Sequence, residues 1–212
     1  MGNVKITERD TALFEFINMH EVISLESAAI LWKTEIKPAR ERLLKLKKSG
    51  HINYLTYKGS LTAISLTGLG YFSMFLEKKS VDLENFNLKA LNHRLKVSEV
   101  AAHFKTENIG YYIPNKYESG QVVSDLAFTE NNTGVEIEIT VKSRKAYSKK
   151  LVMFQESNMP KLIYVCTFNP ESLVSILTGI TEDDNGRAIA EDTKERIMVI
   201  SYDNLIKSKT KD

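Results

Sequence analysis

The sequence predicts a two-domain protein of the α+β or α/β class. Its 212 residues suffice for one large domain or two small ones. Hydrophobic residues make up 42% of the chain and charged residues 26%, a balance that is typical of folded proteins and excludes the disordered and fibrous classes. Residues 79–87, KSVDLENFN, show neither helical nor strand periodicity and are predicted to link a first domain, 1–78, to a second, 88–212.

Three helices are predicted within the first 50 residues. They begin after Thr7, after Ser24 or Ser27, and at Ala39. Thr7 and Asp10 have the spacing of a capping box, and Pro38 suits the first position of the third helix because that position needs no backbone N–H. The third helix is expected to end at Lys48, since Ser49-Gly50 is a C-terminal glycine signal.

Two alternating runs follow the third helix and predict a β-hairpin. They are residues 51–57 and 61–66, on either side of Lys58-Gly59-Ser60. Thr67 is expected to cap a fourth helix from Gly68 to Lys78. The order helix, helix, basic helix, hairpin, helix is that of a winged helix, a helix-turn-helix variant with a β-hairpin wing.

Positive charge is concentrated on the predicted third helix. Residues 33–48 carry seven basic side chains against Glu35 and Glu41, which indicates a local contact with a polyanion. Because the third helix of a winged helix lies in the major groove, double-stranded DNA is the expected partner. The predicted DNA contacts are Lys37, Arg40 and Lys47 on the helix and Tyr57 and Lys58 on the wing. The alternatives are a winged helix that binds protein and a merely solvated helix face, with Leu43, Leu44 and Leu46 in the core.

The second predicted domain has the order α-β-β-β-α-β. A long amphipathic helix begins near Leu88. Strands are expected at 109–113, 122–129 and 135–141, a helix at 144–156, a buried strand at 161–168, a short helix at 170–177 and a last strand at 196–201. This order is that of the restriction-endonuclease-like fold, in which the second and third strands carry acidic residues.

Asp125, Glu136 and Glu138 form a candidate metal site on two neighbouring predicted strands. From Val135 to Lys142 apolar and polar residues alternate, so both glutamates lie on one face of a strand. Asp125 belongs to the preceding strand, and carboxylates that converge in this way suit Mg²⁺ or Mn²⁺. Lys142 shares their face, but a strand that continued to it would carry it about 13 Å beyond Glu138. The alternative is the solvated face of a half-buried antiparallel strand.

Further motifs occur in a fixed order along the chain. After the predicted winged helix come residues 91–97, LNHRLKV, and then 136–143, EIEITVKS, followed by Arg144 and Tyr147. This combination resembles the replication-relaxation family of plasmid and mobile-element proteins, over nearly the whole chain. That family is similar to accessory mobilisation proteins of conjugative DNA transfer, and its second domain is related to PD-(D/E)XK nucleases. The resemblance implies that Asp125 and Glu136 occupy the acidic positions of the nuclease motif.

The sequence departs from that motif at two positions. Ser124 stands in place of the proline and Glu138 in place of the lysine. The lysine of such sites helps to orient the attacking water and stabilises charge on phosphorus, whereas a third carboxylate adds only metal affinity. Asp125, Glu136, Glu138 and Lys142 are thus catalytic candidates in a domain that is expected to be catalytically silent. Further candidates, for which a solvated position is the alternative, are Lys145, Lys149 and Lys150 on the following helix and Glu99 or Glu107 on the preceding one.

The predicted function is that of a DNA-binding accessory protein in plasmid or mobile-element replication or in conjugative mobilisation. Its nuclease-like domain would then serve in DNA docking or in contact with a relaxase or replication protein, and a homodimer fits this role. One alternative is a metal-dependent nuclease or relaxase-like nicking enzyme that uses Mg²⁺ or Mn²⁺ as its cofactor. A second alternative is a winged-helix transcription regulator with a dimerisation domain.

Other classes of site find little support. Cys166 is the single cysteine and lies in an apolar run, which predicts a buried structural thiol and excludes a disulfide within one chain. The four histidines have no cysteine partners, so no zinc site is expected. The sequence shows no charged-then-apolar leader and no apolar run near the length of a membrane span. The cytoplasm is the expected location, with no membrane contact.

Overall fold

The computed structural model describes residues 4–56, 62–76, 87–114 and 124–207. Within these ranges helices and two β-sheets give an α+β fold. The chain divides into two compact units, Met1–Asn108 and Ile109–Asp212. Nowhere in the described ranges is a helix both long and apolar enough to cross a membrane.

The first unit begins with three helices. They are α1 (Glu8–His20), α2 (Leu25–Leu31) and α3 (Ile36–Lys48). The capping box predicted for α1 is confirmed, because the Thr7 backbone N–H donates to Asp10 Oδ2 at 2.8 Å and the Asp10 N–H donates to Thr7 Oγ1 at 3.4 Å. Ser24 caps α2, since its Oγ accepts from the Ser27 N–H at 2.9 Å.

Helix α3 differs from its prediction in two ways. It begins at Ile36, so Pro38 is its third residue rather than its first. This position is tolerated because the first N–H groups of a helix have no acceptor within it. Leu44 was expected in the core but its side chain is 46% exposed, since the helical period turns it away from buried Leu43 and Leu46. The end of α3 is as predicted, with Gly50 in the left-handed region at φ 83°.

The hairpin follows α3. It consists of antiparallel strands β1 (Ile52–Thr56) and β2 (Thr62–Leu66), paired from Ile52 with Leu66 to Thr56 with Thr62. Thr67 caps α4 (Gly68–Ser73), as predicted. This helix is shorter than expected, and Phe75 beyond it has a left-handed φ of 53°. The predicted wing contacts Tyr57 and Lys58 lie outside the described residues.

Helix α5 (Leu88–Thr106), capped by Asn87, belongs to the first unit. The prediction instead made it the start of the second domain. Its Ser98 Oγ lies 2.7 Å from Ser27 Oγ on α2, and its Leu91 and Leu95 join a buried cluster with Val22 and Ala63. The apolar face of a helix does not show which domain the helix packs against. The assignment of α5 to the first unit therefore depends on its tertiary contacts.

The second unit contains a five-stranded sheet. Its strands, in spatial order, are β3 (Tyr111–Tyr112), β4 (Leu126–Phe128), β5 (Gly134–Glu138), β6 (Leu162–Cys166) and β7 (Ile197–Ser201). The pairs β3–β4 and β4–β5 are antiparallel, whereas β5–β6 and β6–β7 are parallel. Its helices are α6 (Arg144–Gln155), α7 (Pro170–Thr178), α8 (Glu191–Glu195) and α9 (Tyr202–Lys207). The parallel pairs explain the intervening helices, because such strands need a crossover connection.

The core of the second unit lies between α6, β6 and α7. Tyr147, Leu151 and Phe154 of α6 pack with Tyr164 of β6 and with α7. Cys166 is buried and free, as predicted, and burial raises the pKa of its thiol to about 12. The short helices α8 and α9 were not predicted, since one or two turns show too little periodicity to be recognised.

Candidate functional site

Asp125, Glu136 and Glu138 lie at the start of β4 and along β5. Leu126 pairs with Val135, so Asp125, one residue before it, is next to Glu136 on the neighbouring strand. Asp125 Oδ2 accepts a hydrogen bond from the Ile137 backbone N–H at 2.8 Å. The structure therefore brings together the acidic residues that the strand pattern predicted to be neighbours.

Both glutamates are buried. Glu136 is 5% exposed and Glu138 is 1% exposed. The alternative of a solvated strand face is therefore wrong. An ionised carboxylate in such a position needs a partner of opposite charge or hydrogen-bond donors.

Two lysines provide that partner. Lys142 Nζ lies 2.8 Å from Glu138 Oε1 and 3.5 Å from Glu136 Oε1. Lys150 Nζ pairs with Glu136 Oε1, and the Lys150 side chain is only 19% exposed. We refer to Asp125, Glu136, Glu138, Lys142 and Lys150 as the carboxylate–lysine cluster.

Lys142 reaches the cluster because β5 ends early. The predicted strand continued to residue 141, but the sheet pairing stops at Glu138 and the chain bends at Ile139 and Thr140. The Lys142 backbone N–H donates to Tyr147 Oη at 3.2 Å, which holds this segment against the start of α6. The separation of about 13 Å expected for a continuous strand therefore does not apply.

Lys150 was one of three further candidates on this helix, with a solvated position as the alternative, and the structure places it at Glu136. It lies three residues after buried Tyr147 and directly before buried Leu151, so the helical period did place it beside the buried face of α6. Lys145 instead pairs with exposed Asp184, and Lys149 is exposed. A helix lysine flanked by buried residues was the available signal.

Burial raises the pKa of two groups at the cluster, Glu136 and Tyr164. Burial, and next the charge of Asp125, raise the pKa of Glu136, while Lys150 and Lys142 act in the opposite direction. Tyr164 pairs with Glu136 across β5 and β6, and burial together with the two glutamate charges raises its pKa well above the ordinary value. Tyr164 Oη and Ser124 Oγ are both buried without a hydrogen-bond partner among the described residues.

The predicted metal ligands do not form a metal centre in the described part of the chain. No group of three His, Cys, Asp or Glu side chains there is arranged to hold a metal ion. The glutamates take lysine ammonium groups as their counter-charges instead. The two further candidates, Glu99 and Glu107, lie at α5 in the first unit, where Lys96 Nζ pairs with Glu99 at 2.7 Å.

A second candidate surface lies on α3. Ala39, Leu43 and Leu46 are buried, and the opposite side is exposed to solvent. We call this side the outer face of α3; its residues are Lys37, Arg40, Glu41, Leu44, Lys45 and Lys48. Of the other basic residues, Arg42 turns inward to bond with Asp10.

The predicted DNA contacts on α3 behave differently from one another. Lys37 and Arg40 are exposed and make no ion pair with any described residue. Lys47 is also exposed, but its Nζ donates to the Tyr54 carbonyl oxygen at 3.1 Å and lies 5.9 Å from the Tyr54 ring centre. Lys37 and Arg40 are therefore the contacts best placed to meet a polyanion.

Comparison with known proteins found no matching family model, no matching curated protein and no matching solved structure. The resemblance to the replication-relaxation family therefore stays a prediction. Functional inference rests on the carboxylate–lysine cluster and on the outer face of α3.

Proposed function

We propose that this protein binds double-stranded DNA through the outer face of α3. The observation that carries the proposal is a run of four exposed cationic side chains against one acid on that face. Lys37 and Arg40 are not neutralised within the described residues. Basic side chains of this kind contact phosphates and release condensed counterions, which drives association with DNA.

The surrounding elements support a winged-helix mode of binding. Helix α3 spans 13 residues, or about 20 Å, and packs against α2 and β1, while Arg42 bonds it to Asp10 of α1. A helix of this size enters a major groove about 12 Å wide. In that mode α3 is the recognition helix and the β1–β2 hairpin is the wing.

We further propose that the second unit is a nuclease-like domain without catalytic activity. Support comes from the buried glutamates, whose charges are balanced by Lys142 and Lys150 and are withdrawn from solvent. In this proposal the protein is an accessory factor of plasmid or mobile-element replication or conjugative mobilisation. The second unit then contacts DNA or a partner such as a relaxase or replication protein.

The test is the salt dependence of duplex binding. Replacing both Lys37 and Arg40 with alanine is expected to weaken binding and to reduce the log–log salt slope by about 1.8, since each lost phosphate contact accounts for about 0.9. The matched control removes two exposed lysines of the first unit that lie off α3, Lys5→Ala with Lys89→Ala, and should leave the slope unchanged. Equal slopes for the parent and the α3 double variant would refute the proposal.

One observation favours a second candidate, a metal-dependent nuclease. Lys150 lies beside Glu136 and so provides, from α6, the lysine that position 138 lacks. A lysine there can orient water and stabilise charge on phosphorus, provided that Mg²⁺ or Mn²⁺ binds the carboxylates. The test is nicking of supercoiled and single-stranded DNA in Mn²⁺. Cleavage that is lost in both Glu136→Gln and Lys150→Met establishes the enzyme, and no cleavage by the parent protein rejects it.

A further inference from the structure

The first unit contains a cationic pocket that plays no part in the proposed α3 contact. Its volume is about 290 Å³, near the lower end of the range for small-ligand sites. It lies where the start of α1, the end of α2 and the end of α5 meet. The lining residues that matter here are Arg9, Trp32, Lys33, Lys105 and Asn108.

The lining is positively charged and includes no acidic residue from the part of the chain that the structure describes. Arg9, Lys33 and Lys105 form no ion pair with any described residue. The Arg9 guanidinium lies 5.5 Å from the Trp32 ring centre, and Lys105 Nζ lies 5.8 Å from that of Phe16. Aromatic faces hold these cations in place without neutralising them, so the pocket keeps a field that attracts anions.

That field extends into the fold. His20 lies under Phe16 in α1, with ring centres 4.4 Å apart. Burial, and in addition the charge of Lys105, lower the pKa of His20 to about 4. The charge of Lys105 therefore disfavours a second positive charge at His20.

The shape of the pocket is preformed. Trp32 Nε1 donates to the Arg9 carbonyl oxygen at 2.9 Å, which ties α1 to the end of α2. Lys33 and Asn108 both have left-handed backbone conformations, with φ of 49° and 58°. Such conformations are uncommon outside glycine and persist where neighbouring contacts hold them. Lys33 is held by its N–H bond to the Ile30 carbonyl oxygen at 3.0 Å.

We propose that this pocket binds a phosphate group, with Lys33 and Lys105 as its main donors and Trp32 as its wall. Two sources share this chemistry, a free nucleotide and a backbone phosphate of bound DNA. The second source rests on the proposed DNA contact of α3, whereas the first is independent of it.

Trp32 is the single tryptophan of the chain, so its fluorescence reports on the pocket directly. The probes are deoxyadenosine 5′-monophosphate, the uncharged nucleoside deoxyadenosine, and a short DNA duplex. We expect a saturable change in emission with the monophosphate or the duplex and none with deoxyadenosine. Lys33→Gln and Lys105→Gln should each weaken binding about tenfold, because each removes one charge-assisted hydrogen bond.

The matched control is Lys89→Gln. Lys89 is exposed on the same helix as Lys105 but lies about 24 Å away along it, at about 1.5 Å per residue. Its affinity for the probe should equal that of the parent. Thermal melting of all three variants checks that each is folded, which is expected because every replaced side chain is exposed.

The outcomes separate the two sources and the two proposals. A response to the monophosphate assigns the pocket to free nucleotides, and a response to the duplex alone assigns it to the DNA backbone. No response to either, or unchanged affinity in both pocket variants, overturns the phosphate site. Duplex binding followed independently with labelled DNA decides the α3 contact, so either proposal can fail while the other stands.

Discussion

Asp10 serves two elements of the first unit at once. Its carboxylate completes the capping box of α1 and accepts hydrogen bonds from Arg42 of α3. Burial raises the pKa of Asp10, but the bonds from Arg42 and Thr7 outweigh burial, so the pKa lies below its ordinary value of 3.8. One side chain therefore joins the first helix to the helix with the basic outer face.

Replacing Asp10 with alanine should destabilise the protein by about 3 kcal/mol, because it leaves half-buried Arg42 without its partner and removes a helix cap. Since the folded pKa of Asp10 is depressed, this contribution is present above pH 3.8 and is lost as the pH falls through the folded value. Urea denaturation at neutral pH and near pH 3 measures both effects. Glu15→Ala, an exposed acid on α1, is the control. An equal loss at both pH values would contradict this account.

The pKa shift of Glu136 has the opposite sign to that of Asp10. Because burial and Asp125 raise its folded pKa, the folded protein binds the Glu136 proton more tightly than the unfolded chain does. Ionisation of Glu136 therefore costs stability as the pH rises above its ordinary value of 4.5. Glu136→Gln should melt at a higher temperature than the parent at pH 8, and the difference should shrink toward pH 4. The control Glu130→Gln, at an exposed turn, should show no such trend with pH. If Glu136→Gln is less stable than the parent at pH 8, the lysine pairs of Glu136 outweigh its burial and this account is wrong.

At the scale of elements, helices and strands are held together by close backbone approaches as well as by side-chain packing. Helix α4 approaches the backbone just before β1 at Gly70, where an added Cβ would lie 2.2 Å from the His51 carbonyl oxygen. That oxygen belongs to the backbone and cannot move aside as a flexible side chain would. At Gly68, two residues earlier in the same helix, an added Cβ meets no atom of the described residues within 4 Å.

Gly70→Ala should therefore destabilise the protein by about 2 kcal/mol through overpacking. Gly68→Ala should instead be neutral or stabilise by up to about 1 kcal/mol, since alanine favours the helix. The two variants make the same chemical change in one helix, so the sign of the difference isolates the contact with His51. Chemical denaturation of both, compared with the parent, measures it, and equal effects would show that α4 does not pack in this way.

At the scale of the molecule, the packing of α5, and not the lack of periodicity at residues 79–87, sets where the first unit ends. Ser98 bonds with Ser27 on α2, and Leu91 and Leu95 complete a buried cluster with Val22. A first unit that lacked α5 would expose this surface. The compact first unit accordingly extends to Asn108.

A fragment of residues 1–108 is thus expected to unfold in one cooperative transition, whereas a fragment of residues 1–78 should lack one. Circular dichroism during thermal and urea denaturation distinguishes the two. Leu95→Ala in the longer fragment provides a graded check and should cost about 2–5 kcal/mol as a large-to-small core change. Cooperative unfolding of the shorter fragment would return α5 to the second unit.

Much of the local structure could be predicted from the sequence. Thr7 with Asp10, Thr67 and Gly50 mark helix ends through interactions within a few residues, and these marks hold in the structure. Alternation along 135–138 likewise placed Glu136 and Glu138 on one strand beside Asp125. These signals depend on residues that are close in sequence, so they do not change with the place where the element packs.

Tertiary structure alone decided what surrounds those elements. In the folded protein β5 ends at Glu138, so that Lys142 lies close to the glutamates, and Lys150 pairs with Glu136. Both glutamates are buried, although the sequence pattern also allowed a solvated face. Tertiary structure also placed α5 on α2 and formed the pocket between α1, α2 and α5. Burial, counter-charge and cavities depend on residues far apart in the chain, whereas periodicity and capping depend on neighbours. The sequence by itself therefore determined the order and type of most elements, and tertiary packing determined which charges they bring together.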